Sequence, residues 1–309
     1  MLVFATSDKG GTGRSVTSSN VAYRRALQGY DACYLDFDFG SPTAGAIFNI
    51  DAVASGTPEG GLHSYMLGKV VEPVWLDVWS TTDRANLRGR PAGAGRLMLF
   101  PGDKGGSEFS ADNSADRDVV RRCMYLLLRL EEEFDLCVVD LSAGRSYATQ
   151  LTLAATAEPE MRHVVCRWLI YHRWTAQHIV AAANLVNGQR GILEIGAEKG
   201  HDREELLAAI RFVRTAVVDP DSVELAGLRA AQVAWLRDFN RKLQGMASEK
   251  RVGRTTMLAA VPLDPVLQWR EQLISDDDVL ALHIANQATV DAFNTIAKLL
   301  FEDVAWEGL

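Results

Sequence analysis

Eight residues near the start, Asp8-Lys9-Gly10-Gly11-Thr12-Gly13-Arg14-Ser15, lie between a short apolar run at 2–6 and a helical pattern that opens at Val16. The run reads as a buried strand, and Val16, Asn20, Val21, Tyr23, Arg24 and Leu27 recur at helical spacing. The glycines therefore fill a strand-to-helix turn. Gly10, Gly11 and Gly13 carry no Cβ and adopt positive φ readily, so backbone N–H groups can converge in front of a helix N-terminus, where a phosphate binds. Gly10, Gly11, Thr12, Gly13, Arg14, Ser15 and Val16 are the candidate phosphate-binding stretch, and Ser15 offers a hydroxyl able to ligate Mg²⁺ between phosphates. The competing reading is a plain Gly-rich loop entering a helix.

The usual phosphate loop, G-x-x-x-x-G-K-[ST], has lysine where this chain has Arg14. With Lys9 ahead of the glycine pair, KGGTGRS instead resembles the deviant loop KGGxGK[ST] of the ParA/MinD family of dimerising ATPases. That resemblance implies ATP and Mg²⁺ as cofactors and a nucleotide-sandwich homodimer in which Lys9 reaches the partner's nucleotide. Without the resemblance, a cation beside the loop is simply drawn to phosphate.

After the first helix, Gly29-Tyr30-Asp31 closes a turn and residues 32–36 form a second apolar strand, so the chain opens with a βαβ unit and parallel strands. The second strand runs into Asp36-Phe37-Asp38-Phe39-Gly40, which resembles the D-x-D-x-G switch I segment of MinD-like proteins. The match implies that Asp36 lies near the Mg²⁺ shell and that Asp38 positions the attacking water. Carboxylates suit both tasks, although two aspartates at a strand end also solvate a turn.

Residues 51–95 are broken by glycines around a short helix candidate at 62–67 and an alternating run at 74–79. Arg84, Arg88, Arg90 and Arg96 cluster there and are read as solvated surface; contact with non-specific DNA is the competing reading. A strand is expected at 96–100, a polar loop at 103–117, and a strong amphipathic helix at 117–133. Residues 134–144 are the second anchor. An apolar run ending in Asp140 is what a buried parallel strand needs to deliver one carboxylate to Mg²⁺, and it resembles the family's D-x-x-x-G switch II, with Gly144 as pivot.

Further strands are expected at 163–169, 212–218 and 256–261, with helices at about 175–187 and 221–247 and a surface insertion at about 188–205. His172, Trp174 and His178 lack a third ligand at metal spacing and are read as packing or surface residues. Val261-Pro262-Leu263-Asp264 resembles the family's IP-x-D-x-x-V, which implies that Pro262 and Asp264 lie beside the nucleotide base. Asp219-Pro220 departs from the asparagine many relatives carry at the preceding strand end, and with no N-K-x-D for guanine, ATP is favoured over GTP.

At 309 residues and 48% hydrophobic content, the chain buries a large core and is read as one α/β domain spanning 1–309. Forty acidic against 32 basic residues give a net charge of −8, which argues against a protein held on nucleic acid or anionic lipid mainly by bulk charge and leaves only a local patch for such contact. The four cysteines are dispersed, without a C-x-x-C pair, and read as buried free thiols; that disfavours the family's iron–sulfur carrier branch. No charged leader precedes the first strand and no run of about 18 apolar residues occurs, so a cytoplasmic protein is expected. The acidic tail at 302–307 departs from the basic membrane-binding helix that ends MinD proteins.

The fold expected is an open, mostly parallel, doubly wound sheet of about seven or eight strands with helices on both faces. The function implied is an ATP-hydrolysing dimerisation switch used in partition, positioning or regulation, read by a partner protein through segments 36–43 and 140–149. Catalysis would fall to Lys9, Arg14 and Asp38, with Ser15, Asp36 and Asp140 around the metal. The alternative is a nucleotide-binding adaptor with little or no turnover, because guanidinium does not reproduce the point contact of a lysine ammonium. A ligase of the dethiobiotin synthetase type is a third reading, and Lys9 argues against it.

Overall fold

The computed structural model describes residues 1–106, 109, 117–220, 222 and 227–307. Its strands are β1 (Leu2–Thr6), β2 (Ala32–Phe37), β3 (Leu76–Asp77), β4 (Leu97–Phe100), β5 (Leu136–Leu141), β6 (Cys166–Arg173), β7 (Ile210–Val217) and β8 (Met257–Pro262). The first helices are α1 (Arg14–Leu27), α2 (Ala44–Ile47), α3 (Leu62–Met66), α4 (Val78–Thr81), α5 (Arg117–Glu133) and α6 (Tyr147–Thr156). Then follow α7 (Ala176–Asn187), α8 (Ile192–Lys199), α9 (Arg203–Ala208), α10 (Ala230–Glu249), α11 (Pro265–Trp269), α12 (Asp276–Leu280) and α13 (Gln287–Leu299).

The strands form one sheet in the order β3-β4-β2-β5-β1-β6-β7-β8. Every pairing is parallel except that of β3 with β4. β1, β2 and β5 are buried along their whole length, because helices cover both faces of the sheet and nothing in a central strand reaches water. On one face α5, α6 and α7 pack Met124, Leu127, Leu130, Leu151 and Ile179 against Phe4, Cys137 and Val139. On the other, α1 and α13 pack Val21, Ala22, Phe293 and Ile296 against Val3, Tyr34 and Val138. Each fully buried leucine or phenylalanine contributes roughly 1.5–3 kcal/mol. β1 lies between β5 and β6, which follow it in the chain on opposite sides, so the crevice at its carboxyl end is the switch point of the winding.

Several elements differ from expectation. The strand expected at 163–169 is β6, starting at Cys166, because Val164 N–H closes a turn onto the Met161 carbonyl. It runs on through Tyr171-His172-Arg173, polar types held in the sheet by pairing with β7 as far as Thr215. The alternating run at 74–79 yields only the two-residue edge strand β3; Asp77 then caps α4 through Trp79 N–H. The helix expected at 221–247 begins at Ala230, and part of the residues before it, like 107–108 and 110–116 of the expected polar loop, lies outside the described residues. Residues 188–205 hold α8 and the start of α9, with Leu193 and Ile195 in the core. Arg84 is not solvated surface: it donates to the Asp278 carboxylate and, at 2.7 Å, to the Leu273 carbonyl. Arg96 likewise pairs with Asp31 and Glu133.

Among the described residues no helix is long and apolar enough to cross a membrane. The acidic tail folds back, with Asp303 paired to Arg167 and Trp306 under the Arg167 guanidinium.

Candidate functional site

The loop between β1 and α1 has the geometry its glycines permit. Gly11 and Gly13 sit at φ 69° and 74°, alternating with right-handed or extended neighbours, which turns successive N–H groups toward one side of the loop. Gly13 is the N-cap of α1, and no side chain caps that helix end, so its first N–H groups stay available to an anion. Thr215, at the end of β7, fastens the loop by donating its hydroxyl to the Thr12 carbonyl.

The acids expected around the loop converge. Asp36 and Asp140 are register partners on β2 and β5 at the carboxyl end of the sheet, and Asp38 follows just beyond. Between them lies the side chain of Arg14, which is 7% exposed. Its Nε donates to Asp140 Oδ1, and its Nη2 donates to Asp38 Oδ2 at 3.0 Å and to Ser15 Oγ at 3.2 Å. Burial alone would lower the Arg14 pKa, but Asp140 and Asp38 outweigh it and hold the guanidinium above its ordinary value. Asp36 carries no such partner. Burial first, then the charges of Asp140 and Asp38, push its carboxyl up to about 8, against two backbone N–H bonds from Asp38 and Ala44 that lower it.

This donor set does not suit Mg²⁺ as it stands. Asp140 and Ser15 both accept from Arg14, and Asp36 is mostly uncharged at neutral pH with its oxygens turned to backbone N–H groups. A divalent ion at Ser15 Oγ and Asp140 Oδ1 would compete with the Arg14 guanidinium for both atoms. No group of three acidic, histidine or cysteine side chains among the described residues is placed to hold a metal.

Lys9 is exposed, with no ion-pair partner among the described residues. Sequence reasoning missed its neighbour's tie: Arg145, directly after Gly144, pairs with Asp8 at 3.1 Å and donates to the Asn184 and Gln189 carbonyls. Gly144, at φ 77°, donates its N–H to the Ser7 carbonyl at 2.7 Å. The 140–149 segment is thus bonded directly to the loop. Arg145 falls at the pivot, which is the one signal that marks it in the sequence.

Beside Gly11 and Gly13 opens a cavity of about 210 Å³ walled by Thr17, Thr215, Pro262, Gln268 and Glu271. Asp264 borders it, yet its carboxylate is spent: it is 1% exposed and accepts from Val266 N–H, Asn286 N–H and the Thr289 hydroxyl. Its part is to cap α11 and brace the start of α13. Gln268 and Glu271 carry no motif and were not legible beforehand.

His172 and His178 belong to no group of three potential metal ligands among the described residues. Burial drives the His172 pKa down to about 4, and its Nδ1 bonds the Arg173 carbonyl.

No protein-family model matches the sequence, and no curated protein matches it. Solved structures do match in shape. The MinC:MinD cell division complex of Aquifex aeolicus aligns over 100% of this chain and 97% of its own, at 13% identity and a TM-score of 0.55. A plasmid partition protein of Borrelia burgdorferi bound to AMPPNP aligns over 98% of each chain, at 12% identity and 0.56. The chain has the fold of the ParA/MinD ATPases. The septum site-determining protein MinD of Pyrococcus horikoshii, complexed with Mg-ADP, covers 100% of both chains at 12% identity and 0.54. On the ParA/MinD fold as this chain builds it, the loop stands at the carboxyl edge of the sheet between the two acid-bearing strand ends, tied to it through Arg14, and the cavity beside Gly11 and Gly13.

Proposed function

We propose that the protein is an ATP-binding switch of the partition and positioning type, with slow turnover. The observation that carries this is the pair of left-handed glycines at the open head of α1, facing Asp38 and Asp140 across Arg14. The loop N–H groups would hold the phosphates, and the cavity beside Gly11 and Gly13 would take the nucleoside. The nucleotides in the Borrelia and Pyrococcus neighbours support the ligand class. Lys9, exposed and without an ion-pair partner among the described residues, would meet the phosphates of a second copy, and segments 36–43 and 140–149 would report the bound state to a partner protein.

Hydrolysis asks Asp38 to orient a water at the γ-phosphate, and Arg14 occupies that carboxylate. Slow turnover follows. The same contact favours a second reading, an adaptor that binds nucleotide without turning it over. Calorimetry with ATP, with phosphate release followed across protein concentration and Asp38→Ala as control, separates the two. Binding with turnover that rises with protein concentration supports the switch; binding with none at any concentration leaves the adaptor; absence of binding refutes both.

A further inference from the structure

At the opposite end of β7 from the loop lies a second cleft, of about 550 Å³, between the end of α7, α9, the start of β7 and the connection from α10 to β8. Its floor is apolar: Val186, Leu207, Ile210 and Phe212. Its rim is cationic, with Arg251 and Arg254 beside the hydroxyls of Ser248 and Thr255, and no carboxylate lines it. Neither arginine has an ion-pair partner among the described residues, in a chain with an excess of acids.

Two further features mark the charge as unbalanced. Arg251 holds φ 58°, a left-handed position after α10 where glycine would rest unstrained. Arg214 follows Phe212 on the same face of β7 and is 7% exposed. Among the described residues it has no acidic partner and its Nε meets no acceptor: it lies over the Trp174 ring at 3.9 Å and donates to the Val252 carbonyl at 3.3 Å. Burial, and then the like charge of Arg254, lower its pKa to about 10. A buried cation facing further cations without a counter-ion is costly unless an anion arrives.

We propose that this cleft binds a small molecule with an anionic head and an apolar body, the head at Arg251 and Arg254 and the body over Ile210 and Phe212. The head is a carboxylate or a phosphate. The site is separate from the nucleotide crevice and does not depend on the reading given for it.

Calorimetry on the full chain with octanoate, octyl phosphate, octanol and inorganic phosphate tests this. One of the two alkyl anions should saturate a single site, and octanol and inorganic phosphate should each bind at least about tenfold more weakly, the worth of one charge-assisted bond. Arg254→Gln, at an exposed side chain with no hydrogen bond or ion pair among the described residues, should weaken the alkyl anion about tenfold at unchanged Tm. Arg251→Gly should do the same while the Tm holds or rises, since glycine relieves the backbone. Excess ATP should not displace the probe. Octanol binding as well as octanoate, phosphate binding as well as octyl phosphate, insensitivity to both substitutions, displacement by ATP, or no saturable binding by either alkyl anion overturns the proposal.

Discussion

Arg14 on the first turn of α1 and Asp140 at the end of β5, 126 residues apart in the chain, form a buried ion pair with side chains 7% and 2% exposed. A second carboxylate, Asp38, shares the guanidinium. Breaking a buried pair by deleting one partner leaves the other charge uncompensated, so Arg14→Ala should destabilise the protein by roughly 3–5 kcal/mol. Arg14→Lys keeps the charge but not the planar fork that reaches both acids, and should cost about 1–2 kcal/mol while releasing Asp38. Phosphate release should then rise at least about tenfold over the natural protein, a barrier drop of about 1.4 kcal/mol. Urea midpoints and turnover measured on the same preparations check both halves; a lysine variant as stable and as slow as the natural protein refutes the account of Arg14.

Asp36 sets a pH dependence of opposite sign to the usual carboxylate. Its folded pKa is about 8 against an ordinary 3.8. Between those values the unfolded chain has released a proton that the folded chain keeps, so this residue makes stability fall as pH rises from about 4 to about 8, and contributes no slope beyond either limit. Asp36→Asn loses one of the two side-chain oxygens that accept from the Asp38 and Ala44 N–H groups, but cannot ionise. Denaturation midpoints from pH 4.5 to 8.5 should therefore decline less steeply for the variant than for the natural protein; parallel profiles would refute the raised pKa.

How much of this was legible depended on whether a residue's environment is written locally. β1, β2, β5 and α5 could be read because strands buried on both faces are continuous apolar runs, and an amphipathic helix repeats its stripe. β3 could not, since a two-residue edge strand has no pattern of its own. The last three residues of β6 are polar types, Tyr171 and His172 buried and Arg173 partly so, and only their pairing with β7 reveals them as strand. At the site, the sequence named the charges but not their directions. That Arg14 turns to Asp38 and Asp140, that Arg145 reaches Asp8, and that Thr215 holds Thr12 are contacts 24 to 203 residues long in sequence.

The loop glycines are not equivalent. Gly13 stands at φ 74° as the N-cap of α1, whereas a Cβ on Gly10 would meet nothing within 4 Å and its φ is not left-handed. Gly13→Ala should cost about 1–2 kcal/mol and abolish ATP binding by turning the N–H groups out of line. Gly10→Ala should change the Tm little. Equal effects of the two substitutions on Tm and on calorimetric binding would remove the cradle.

Asp264 is a brace, and its substitution should read as stability. Asp264→Asn turns an NH₂ group toward one or two of three donors and leaves buried groups unsatisfied, a loss of roughly 2–4 kcal/mol. Removing one donor as well, in Asp264→Asn with Thr289→Val, should give a loss smaller than the sum of the two single changes. Preference for ATP over GTP, measured below the melting temperature, should not move. A shift in base preference without loss of stability would put the carboxylate on the nucleotide instead.

Lys9 offers the sharpest division between the switch and a monomeric nucleotide binder. It is exposed and unpaired among the described residues, so Lys9→Ala removes no internal contact and should shift stability by no more than about 0.5 kcal/mol. Its ammonium lies beside the loop, and on the sandwich reading it meets the phosphates of the second copy, where like-charged triphosphates facing each other need cations between them. The natural protein with a non-hydrolysable ATP analogue should therefore sediment at twice the monomer mass, and the alanine variant as a monomer. ATP affinity measured on dilute monomer should change little, because the contact forms only across the pair. A variant that dimerises normally with the analogue, or a natural protein that stays monomeric when saturated with it, would confine Lys9 to the surface and leave a nucleotide binder that works alone.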